Sequence, residues 1–261
     1  MIQKIKHKFL LLLNKLLFNK VLAIVYSFYF QKKDKDYNFD IFNKIGLAND
    51  VLQFSHNEKR VNSPNLSFHY DILFALGQKF KNKNINILEI GTYEGECTNF
   101  MSNIFPDGNI FTLDLASNDK KFTEDYGRAD KKKLNEHLNL RKQNLSCDNI
   151  FFEEMDSLNL LSKFKEKKFD IIWVDGDHHA PQIQLDLFQA IKLSSLGTII
   201  MVDDIIKNKF SNKYTSNASF KTIEYLGEKN YLKTEYFLKR TNYSNLVLKK
   251  YISYSVVKKL I

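Results

Sequence analysis

The chain contains few cysteines, prolines and glycines, the residues that cross-link a polypeptide, bend it or make it flexible. It has 261 residues but only two cysteines, three prolines and nine glycines. Cys97 and Cys147 are too far apart in sequence for a two-cysteine metal motif, and they predict two reduced thiols in a cytoplasmic protein. The scarcity of proline and glycine argues against a long linker or a disordered tail. With a hydrophobic content of 44%, this length predicts one α/β domain and a short additional segment.

Arginine is also scarce. The chain has 39 basic residues and a net charge of +9, but only four of the basic residues are arginine. Nucleic-acid sites favour arginine because its guanidinium makes paired contacts to phosphate and guanine. The scarcity of arginine, and the lack of an Asn-Pro-Pro-Tyr-like motif, predict no nucleic-acid partner. The lysine excess suits a phosphorylated small substrate or an anionic membrane surface.

The N-terminal segment is apolar, but lysines interrupt it. Residues 9–30 are long enough to cross a bilayer, yet a lysine near the centre of a span costs about 2.5–3.5 kcal/mol. At 100° per residue, lysines and apolar side chains fall on different faces, which predicts an amphipathic helix within residues 1–35. We expect this helix to pack on the domain or against a second subunit of a homo-oligomer. The alternative is peripheral contact of residues 1–30 with the inner face of the membrane.

From residue 85 onward, short apolar stretches alternate with helical patterns. Such repetition predicts a parallel sheet that is covered by helices on both faces. The last two stretches, residues 231–239 and 245–254, alternate between apolar and polar side chains and predict a terminal antiparallel pair. The predicted parts of the chain are an amphipathic helical segment (1–35), a helical or lid region (36–84) and a ligand-binding α/β domain (85–261).

A loop with two glycines follows the first predicted strand. Gly91 allows the chain to turn sharply, and Gly95 allows a ligand to approach the start of the next helix. The spacing is G-x-x-x-G, whereas a dinucleotide site has G-x-G-x-x-G. Glu89 and Glu94 add negative charge, which repels a pyrophosphate and suits a ligand with an ammonium and a sulfonium group. Taken alone, the loop is equally compatible with a tight strand–helix turn.

Acidic residues also follow the next predicted strands. Asp114 ends the second strand, where a carboxylate can accept both hydroxyls of a ribose. Asp156 and Ser157 follow the third strand, where they can read an adenine amino group. A lone aspartate after a strand is usually a helix cap. Acids at three successive strand ends, after a glycine turn, favour a nucleoside-containing ligand.

The fourth and fifth predicted strands end in further carboxylates. Asp175 follows the fourth strand, three residues before His178, and Asp203 and Asp204 follow the fifth. In a doubly wound sheet these strand ends lie beside the end of the first strand. Three carboxylates in a low dielectric repel one another unless a cation lies between them. The acids therefore predict a metal site for Mg²⁺, with Mn²⁺ and Fe²⁺ as alternatives.

Together these motifs resemble those of the class I S-adenosylmethionine-dependent methyltransferases. The matching positions are Glu89-x-Gly91-x-x-x-Gly95, Asp114, Asp156 and Phe169-Asp170-x-x-x-x-Asp175, in a resemblance that covers about residues 70–255. It implies a doubly wound, mostly parallel, seven-stranded Rossmann-like sheet with S-adenosylmethionine at the carboxyl ends of the first strands. The implied cofactor contacts are Glu89, Gly91, Thr92, Tyr93, Gly95, Asp114, Leu115, Asp156, Ser157 and Asp175.

Within that class, the acid cluster is similar to that of the metal-dependent sugar O-methyltransferases of the macrocin and rhamnosyl type. The resemblance implies metal ligands at Asp175, Asp203 and Asp204 and a general base at His178. Catechol and caffeoyl-CoA O-methyltransferases usually carry Asp-Asn at the pair, so Asp204 departs from them. The implied reaction is metal-dependent methylation of a sugar, either nucleotide-activated or part of a surface polysaccharide. A catechol-like or other small acceptor is the alternative.

The implied chemistry gives each catalytic residue a task. A metal held by Asp175 would lower the pKa of a bound hydroxyl, and His178, with an ordinary pKa near 6.5, would take the remaining proton. We expect His179 to be a solvent-facing neighbour, and His56 and Arg60 to belong to a lid over the substrate. A non-catalytic scaffold protein has no need for clustered unpaired acids, so these residues argue against a purely structural or binding role for the chain.

Overall fold

A computed structural model describes residues 18–51, 67–124, 128–207 and 216–261. Within these residues, a seven-stranded sheet has the order β3-β2-β1-β4-β5-β7-β6. The strands are β1 (Asn86–Ile90), β2 (Asn109–Asp114), β3 (Ile150–Glu154), β4 (Phe169–Val174), β5 (Ser194–Ile205), β6 (Leu232–Leu238) and β7 (Tyr251–Val257). Only β7 runs antiparallel to its neighbours, β5 and β6. The predicted doubly wound, mostly parallel sheet with an N-terminal helical segment is confirmed.

Helices cover both faces of the sheet. They include α1 (residues 18–29), α2 (Gln31–Ile45), α3 (His69–Lys79), α4 (Glu96–Ile104), α5 (Lys120–Glu124), α6 (Lys131–Asn144), α7 (Leu160–Lys163), α8 (Gln182–Lys192) and α9 (Ala218–Glu228), and residues 48–51 are also helical. Successive strand residues face opposite sides, so Ile87 and Trp173 join one apolar core while Leu88 and Ile172 join the other. Because the central strands are buried on both faces, their sequences are almost entirely apolar.

The sequence placed the start of the last strand incorrectly. Residues 245–254 were predicted as a strand, but β7 begins only at Tyr251. The preceding Tyr243–Leu246 forms a 3₁₀-helix, because the side chain of Asn242 accepts a hydrogen bond from the backbone N–H of Ser244. A local side-chain bond of this kind competes with the strand ladder and delays its start.

The outer edge of β6 is covered by α2 rather than left open. The buried Asn38 amide accepts from the backbone N–H of Leu238 at 2.7 Å and donates to the Leu238 carbonyl at 3.0 Å. The Tyr37 hydroxyl donates to the carbonyl of Tyr236 at 2.8 Å. An edge strand with unpaired backbone groups is a template for pairing with another chain. Here the helix side chains take the place of a neighbouring strand.

We predict that Asn38→Ala lowers the free energy of unfolding by about 1–3 kcal/mol, because it leaves buried backbone groups of Leu238 without partners. Urea unfolding followed by circular dichroism measures the change. Asn43→Ala is the matched control, since Asn43 is an exposed asparagine on the same helix and its loss should cost less than about 0.5 kcal/mol. Equal stability of the two variants would contradict the role of Asn38.

Candidate active site

Three neighbouring strands bring the predicted site residues to one edge of the sheet. Ile90 at the end of β1 pairs with Val174 of β4, and Val174 pairs with Val202 of β5. The next residues along these strands are Gly91, Asp175 and Asp203. The predicted adjacency of the first, fourth and fifth strands is therefore present, and the candidate site lies at their carboxyl ends.

The glycine loop is compact because β4 lies directly against it. Gly91 has a φ of 101°, and a Cβ at this position would collide with the backbone carbonyl of Asp175. Gly95 has a φ of 78° and lies at the start of α4, where a Cβ would come within 3.0 Å of the Leu145 side chain. Both positions require glycine. The group that lies close to Gly95 is the Leu145 side chain, whereas the sequence predicted that a ligand would approach this glycine.

Glu89 lies buried beneath this loop. Its Oε2 accepts hydrogen bonds from the hydroxyls of Thr98 and Thr112, and the Thr112 hydroxyl also bonds that of Thr92 at 2.6 Å. Burial raises the pKa of Glu89 to about 7, although the threonine hydrogen bonds oppose the shift. With 1% of its surface exposed, Glu89 supports the loop from below in this structure.

Asp114 connects the end of β2 to the same loop. One carboxylate oxygen accepts from the backbone N–H of Tyr93 at 2.9 Å, and the other accepts from the N–H of Leu115 at 2.8 Å. The Arg141 guanidinium lies 3.8 Å away. An ionised carboxylate has about four acceptor positions. Asp114 therefore keeps acceptor capacity for a ligand after holding both backbone groups.

Asp156 and Ser157 serve the adjoining helices. The Asp156 carboxylate accepts from the N–H of Leu158 at 2.9 Å, which is the plain helix-cap geometry. The Ser157 hydroxyl donates to Asp186 at 2.7 Å and accepts from Gln182 at 2.7 Å. The assignment of these residues to an adenine stays a prediction.

Asp186 and Gln182 were not predicted as site residues from the sequence. They stand four residues apart on α8, which reads from the sequence as an ordinary exposed polar pair. In the structure Asp186 is buried, and burial raises its pKa to about 6. Only the packing of α8 against the Ser157 turn reveals this polar cluster.

Asp175 and His178 form a pair at the end of β4. The His178 Nε2 lies 3.4 Å from the Asp175 carboxylate. Burial raises the pKa of Asp175 to about 6, and the charge of Asp203 adds to the shift. Burial alone would lower the pKa of His178, but the hydrogen bond and charge of Asp175 outweigh it and raise the pKa. The second ring nitrogen of His178, Nδ1, is buried and has no hydrogen-bond partner among the described residues.

His179 belongs to a different contact. Its Nδ1 lies 3.0 Å from the Asp177 carboxylate, which also accepts from the His179 backbone N–H at 2.9 Å. The His179 side chain is 45% exposed. The adjacent histidines are thus separated by their partners, and His178 is the one that faces Asp175. The predicted lid residues His56 and Arg60 lie outside the described residues.

A lysine lies between the two acids at the end of β5. The Lys239 ammonium lies 2.5 Å from carboxylate oxygens of both Asp203 and Asp204, and Lys250 lies 2.7 Å from Asp204. Burial alone would raise the pKa of Asp204, but the charge of Lys239 and the lysine hydrogen bonds lower it well below its ordinary value. Asp203 and Lys239 are both buried, so this is an enclosed ion cluster.

An irregularity in β5 allows adjacent acids to reach the same ammonium. In a regular strand, successive side chains point to opposite faces. The pairing of β5 with β7 shifts register between Val202 and Ile205, and Asp204 has a φ of 50°. Such a bulge re-aims side chains. Asp203 and Asp204 therefore converge on Lys239.

The predicted metal triad of Asp175, Asp203 and Asp204 is not assembled. No three His, Cys, Asp or Glu residues in the described ranges form a group that could hold a metal ion. A divalent ion placed between Asp203 and Asp204 would meet the Lys239 ammonium, and at about 4 Å their repulsion is roughly 8 kcal/mol at an effective dielectric of about 20. The residues present do not fit Mg²⁺, Mn²⁺ or Fe²⁺ while Lys239 is in place. This contact could not be predicted from the sequence, because Lys239 is one of many lysines.

We predict that Lys239→Met destabilises the fold by about 3–5 kcal/mol, because the buried Asp203 and the half-buried Asp204 lose their main counter-charge. We also expect Mg²⁺ or Mn²⁺ to raise the melting temperature of this variant and to leave the natural protein unchanged, as measured by differential scanning calorimetry. Lys233→Met, at an exposed position of β6, the strand that Lys239 follows, is the control and should behave like the natural protein. If the metals stabilised the natural protein equally, a metal cation would be able to displace the Lys239 ammonium from the two carboxylates.

Comparison with known proteins identifies the type of domain. Residues 88–205 match the family model of a methyltransferase domain. No curated protein matches the chain in sequence.

Several solved structures share the fold. The O-methyltransferase TomG from Streptomyces achromogenes, involved in tomaymycin synthesis and in complex with SAM, is 16% identical with a TM-score of 0.54, over 88% of this chain and 99% of that one. An O-methyltransferase from Bacillus cereus in complex with SAH is 20% identical with a TM-score of 0.52, over 87% and 100%. Cofactor-bound Rv0187 from MTB is 18% identical with a TM-score of 0.56, over 82% and 90%. At these identities the likeness establishes the fold alone. The match of residues 88–205 to the model of a methyltransferase domain supports the predicted enzyme class.

Proposed function

We propose that this protein is an S-adenosylmethionine-dependent O-methyltransferase that acts on a hydroxyl of a sugar, either nucleotide-activated or part of a surface polysaccharide. The observation that carries the proposal is the His178–Asp175 pair at the end of β4, beside the glycine loop of β1. The methyltransferase-domain match supports the reaction class. The structures from S. achromogenes and B. cereus, which contain SAM and SAH, support the cofactor.

The residues around the glycine loop fit the cofactor. When bound, S-adenosylmethionine supplies a methyl group on a positively charged sulfur. The Asp114 carboxylate keeps acceptor capacity for ribose hydroxyls, while Tyr93 and Leu115 hold it in position through their backbone N–H groups. Asp175, at the adjoining strand end, contributes negative charge toward the cationic part of the ligand. Oriented reactants gain roughly 7–11 kcal/mol, so much of the protein's task is positioning.

His178 moves the proton. The imidazole of His178, held beside the Asp175 carboxylate, is the group that accepts the proton of the acceptor hydroxyl. The carboxylates of Asp175, Asp203 and Asp204 favour the resulting imidazolium, as the raised pKa of His178 indicates. Proton transfer by a positioned base contributes about 10²–10⁴-fold to a rate.

A divalent metal is not part of this proposal, although the sequence resemblance implied one. The fixed positive charge beside Asp203 and Asp204 is the Lys239 ammonium. This lysine removes the repulsion that made a metal necessary in the sequence argument. The proposed reaction therefore relies on His178 for deprotonation and on Lys239 to hold the acid pair.

The acceptor class rests on the similarity of the Asp-Gly-Asp-His and Asp-Asp motifs to those of sugar O-methyltransferases. The lysine excess of the chain would help to attract the diphosphate of a nucleotide sugar. A catechol-like acceptor is the second candidate. Methyl transfer from labelled S-adenosylmethionine to nucleotide sugars, polysaccharide fragments and catechols separates the two, and labelling of catechols alone would overturn the sugar assignment.

We predict that His178→Ala lowers kcat at least about a hundredfold, because the proton acceptor is lost. The affinity for S-adenosylmethionine, measured by calorimetry, should stay within a few-fold of the natural value. His179→Ala, which removes the neighbouring imidazole and its contact with Asp177, is the matched control and should retain turnover. A His178→Ala enzyme with natural turnover would take the proton-transfer role away from this residue.

We also predict that exhaustive treatment with EDTA leaves the turnover of the natural enzyme within about twofold of the untreated value, because Lys239 already neutralises the acid pair. Metal content measured after dialysis verifies that the treatment was complete. Loss of activity that returns on addition of Mg²⁺, Mn²⁺ or Fe²⁺ would restore the metal mechanism implied by the sequence.

A further inference from the structure

Helix α1 carries a row of apolar side chains that are all more than one third exposed. The face consists of Phe18, Val21, Ile24, Val25, Phe28 and Tyr29. Phe28 is 81% exposed and Tyr29 is 75% exposed, and the others are all more than one third exposed. At 100° per residue these six side chains fall within an arc of about 140°, which makes one continuous stripe. We call this stripe the α1 face.

The opposite side of α1 is anchored to the domain. Tyr26, roughly 130° around the helix from the centre of the α1 face, is buried. Its hydroxyl donates to the Asp34 carboxylate at 2.6 Å. Asp34 also accepts from Asn245 at 2.9 Å and lies 3.5 Å from Lys249. These contacts fix the helix so that the α1 face points away from the domain. The predicted packing of residues 1–35 on the domain or against a second subunit stays a prediction, since residues 1–17 lie outside the described residues.

The sequence around the α1 face is strongly and uniformly positive. Residues 1–33 contain seven lysines and no aspartate or glutamate. They account for most of the net charge of +9, since 7 of the 9 excess charges lie in this segment. Residues 1–17 lie outside the described residues, so this is a property of the sequence alone. A partner for the α1 face must therefore accept both apolar side chains and concentrated positive charge.

An exposed apolar helix face can bind a second copy of the chain or the surface of a bilayer, and the charge of the segment distinguishes these two partners. A second copy of the chain would carry the same excess of positive charge in its N-terminal segment, and like charges at an interface oppose association. A bilayer that contains anionic phospholipids offers an apolar interior to Phe18, Phe28 and Tyr29 and negative headgroups to the lysines. Of the helices in the described ranges, none has the length and apolar content that crossing a bilayer requires. The geometry suits a helix that lies in the interface plane.

We propose that α1 docks this protein onto the surface of an anionic phospholipid bilayer, with the α1 face inserted at the boundary between headgroups and acyl chains. The buried Tyr26–Asp34 contact then holds the α/β domain at a fixed position beside the membrane. The proposal depends on the α1 face and on the charge of residues 1–33. It does not depend on which acceptor the domain methylates.

Co-sedimentation of the full chain with vesicles tests the proposal. Vesicles of phosphatidylcholine alone are compared with vesicles that contain equal amounts of phosphatidylcholine and phosphatidylglycerol. We expect binding to the anionic vesicles to be at least about tenfold tighter than to the neutral ones, and to weaken at high salt. Equal affinity for the two kinds of vesicle, or binding to neither, overturns the proposal.

Matched substitutions distinguish binding through the α1 face from non-specific hydrophobic binding to vesicles. Ile24→Ser with Phe28→Ser should reduce binding to anionic vesicles about tenfold or more while circular dichroism shows an unchanged fold. Leu196→Ser with Val247→Ser removes two similarly exposed apolar side chains elsewhere and should leave binding unchanged. Equal loss in both double variants would contradict a specific α1 face.

A charge variant and the oligomeric state complete the test. Lys32→Gln with Lys33→Gln should weaken binding to anionic vesicles several-fold without altering the apolar face. Analytical ultracentrifugation of the natural chain, without lipid, should give a monomer. A dimer that Ile24→Ser with Phe28→Ser dissociates would show that the α1 face is a protein interface, and the membrane proposal would fall.

Discussion

The ion cluster of Lys239 with Asp203 and Asp204 is the constraint on which the arrangement of the site depends. Two adjacent carboxylates, one buried and one half-buried, repel each other unless a positive charge lies between them. The ammonium of Lys239, the residue that follows β6, supplies that charge, and the irregularity in β5 lets both acids reach it. The same cluster contributes to the electrostatic environment of Asp175 and His178 at the neighbouring strand end. The pair that we assign to proton transfer thus depends on a lysine that the sequence motif does not contain.

Lys239 is itself positioned by the edge of the sheet and by the N-terminal helices. Its backbone N–H donates to the Lys250 carbonyl at 2.9 Å, and its carbonyl accepts from the N–H of Phe68 at 2.8 Å. The preceding residue, Leu238, bonds to the Asn38 amide through both backbone groups. Helix α2 therefore contributes to the placement of the ammonium. A continuous set of hydrogen bonds connects the N-terminal helical segment to the acid cluster, which gives these helices a structural role in addition to covering an edge strand.

The parts of the site that the sequence predicted well are those that chain order and strand periodicity determine. Each of β1, β4 and β5 is an apolar run that ends in an acid or a glycine, and parallel pairing brings such ends to one edge. The proximity of Gly91 to Asp175 and the pairing of Asp175 with His178 follow from that order. The less accurate part was the last strand, because the Asn242 turn competes locally with the ladder.

The sequence alone therefore determined the doubly wound sheet, the edge at which ligands meet it and the methyltransferase character of residues 88–205, because all three are encoded in local periodicity and in residues close to strand ends. Only the tertiary structure decided what neutralises the acid pair and which face of α1 stays exposed. Lys239 is separated from Asp203 by 36 positions, and the burial of Tyr26 depends on Asp34 and the distant Asn245. Contacts between residues so far apart in the chain leave no local pattern in the sequence. The carboxylates alone therefore could not show whether their counter-charge is a metal ion or the ammonium of a lysine.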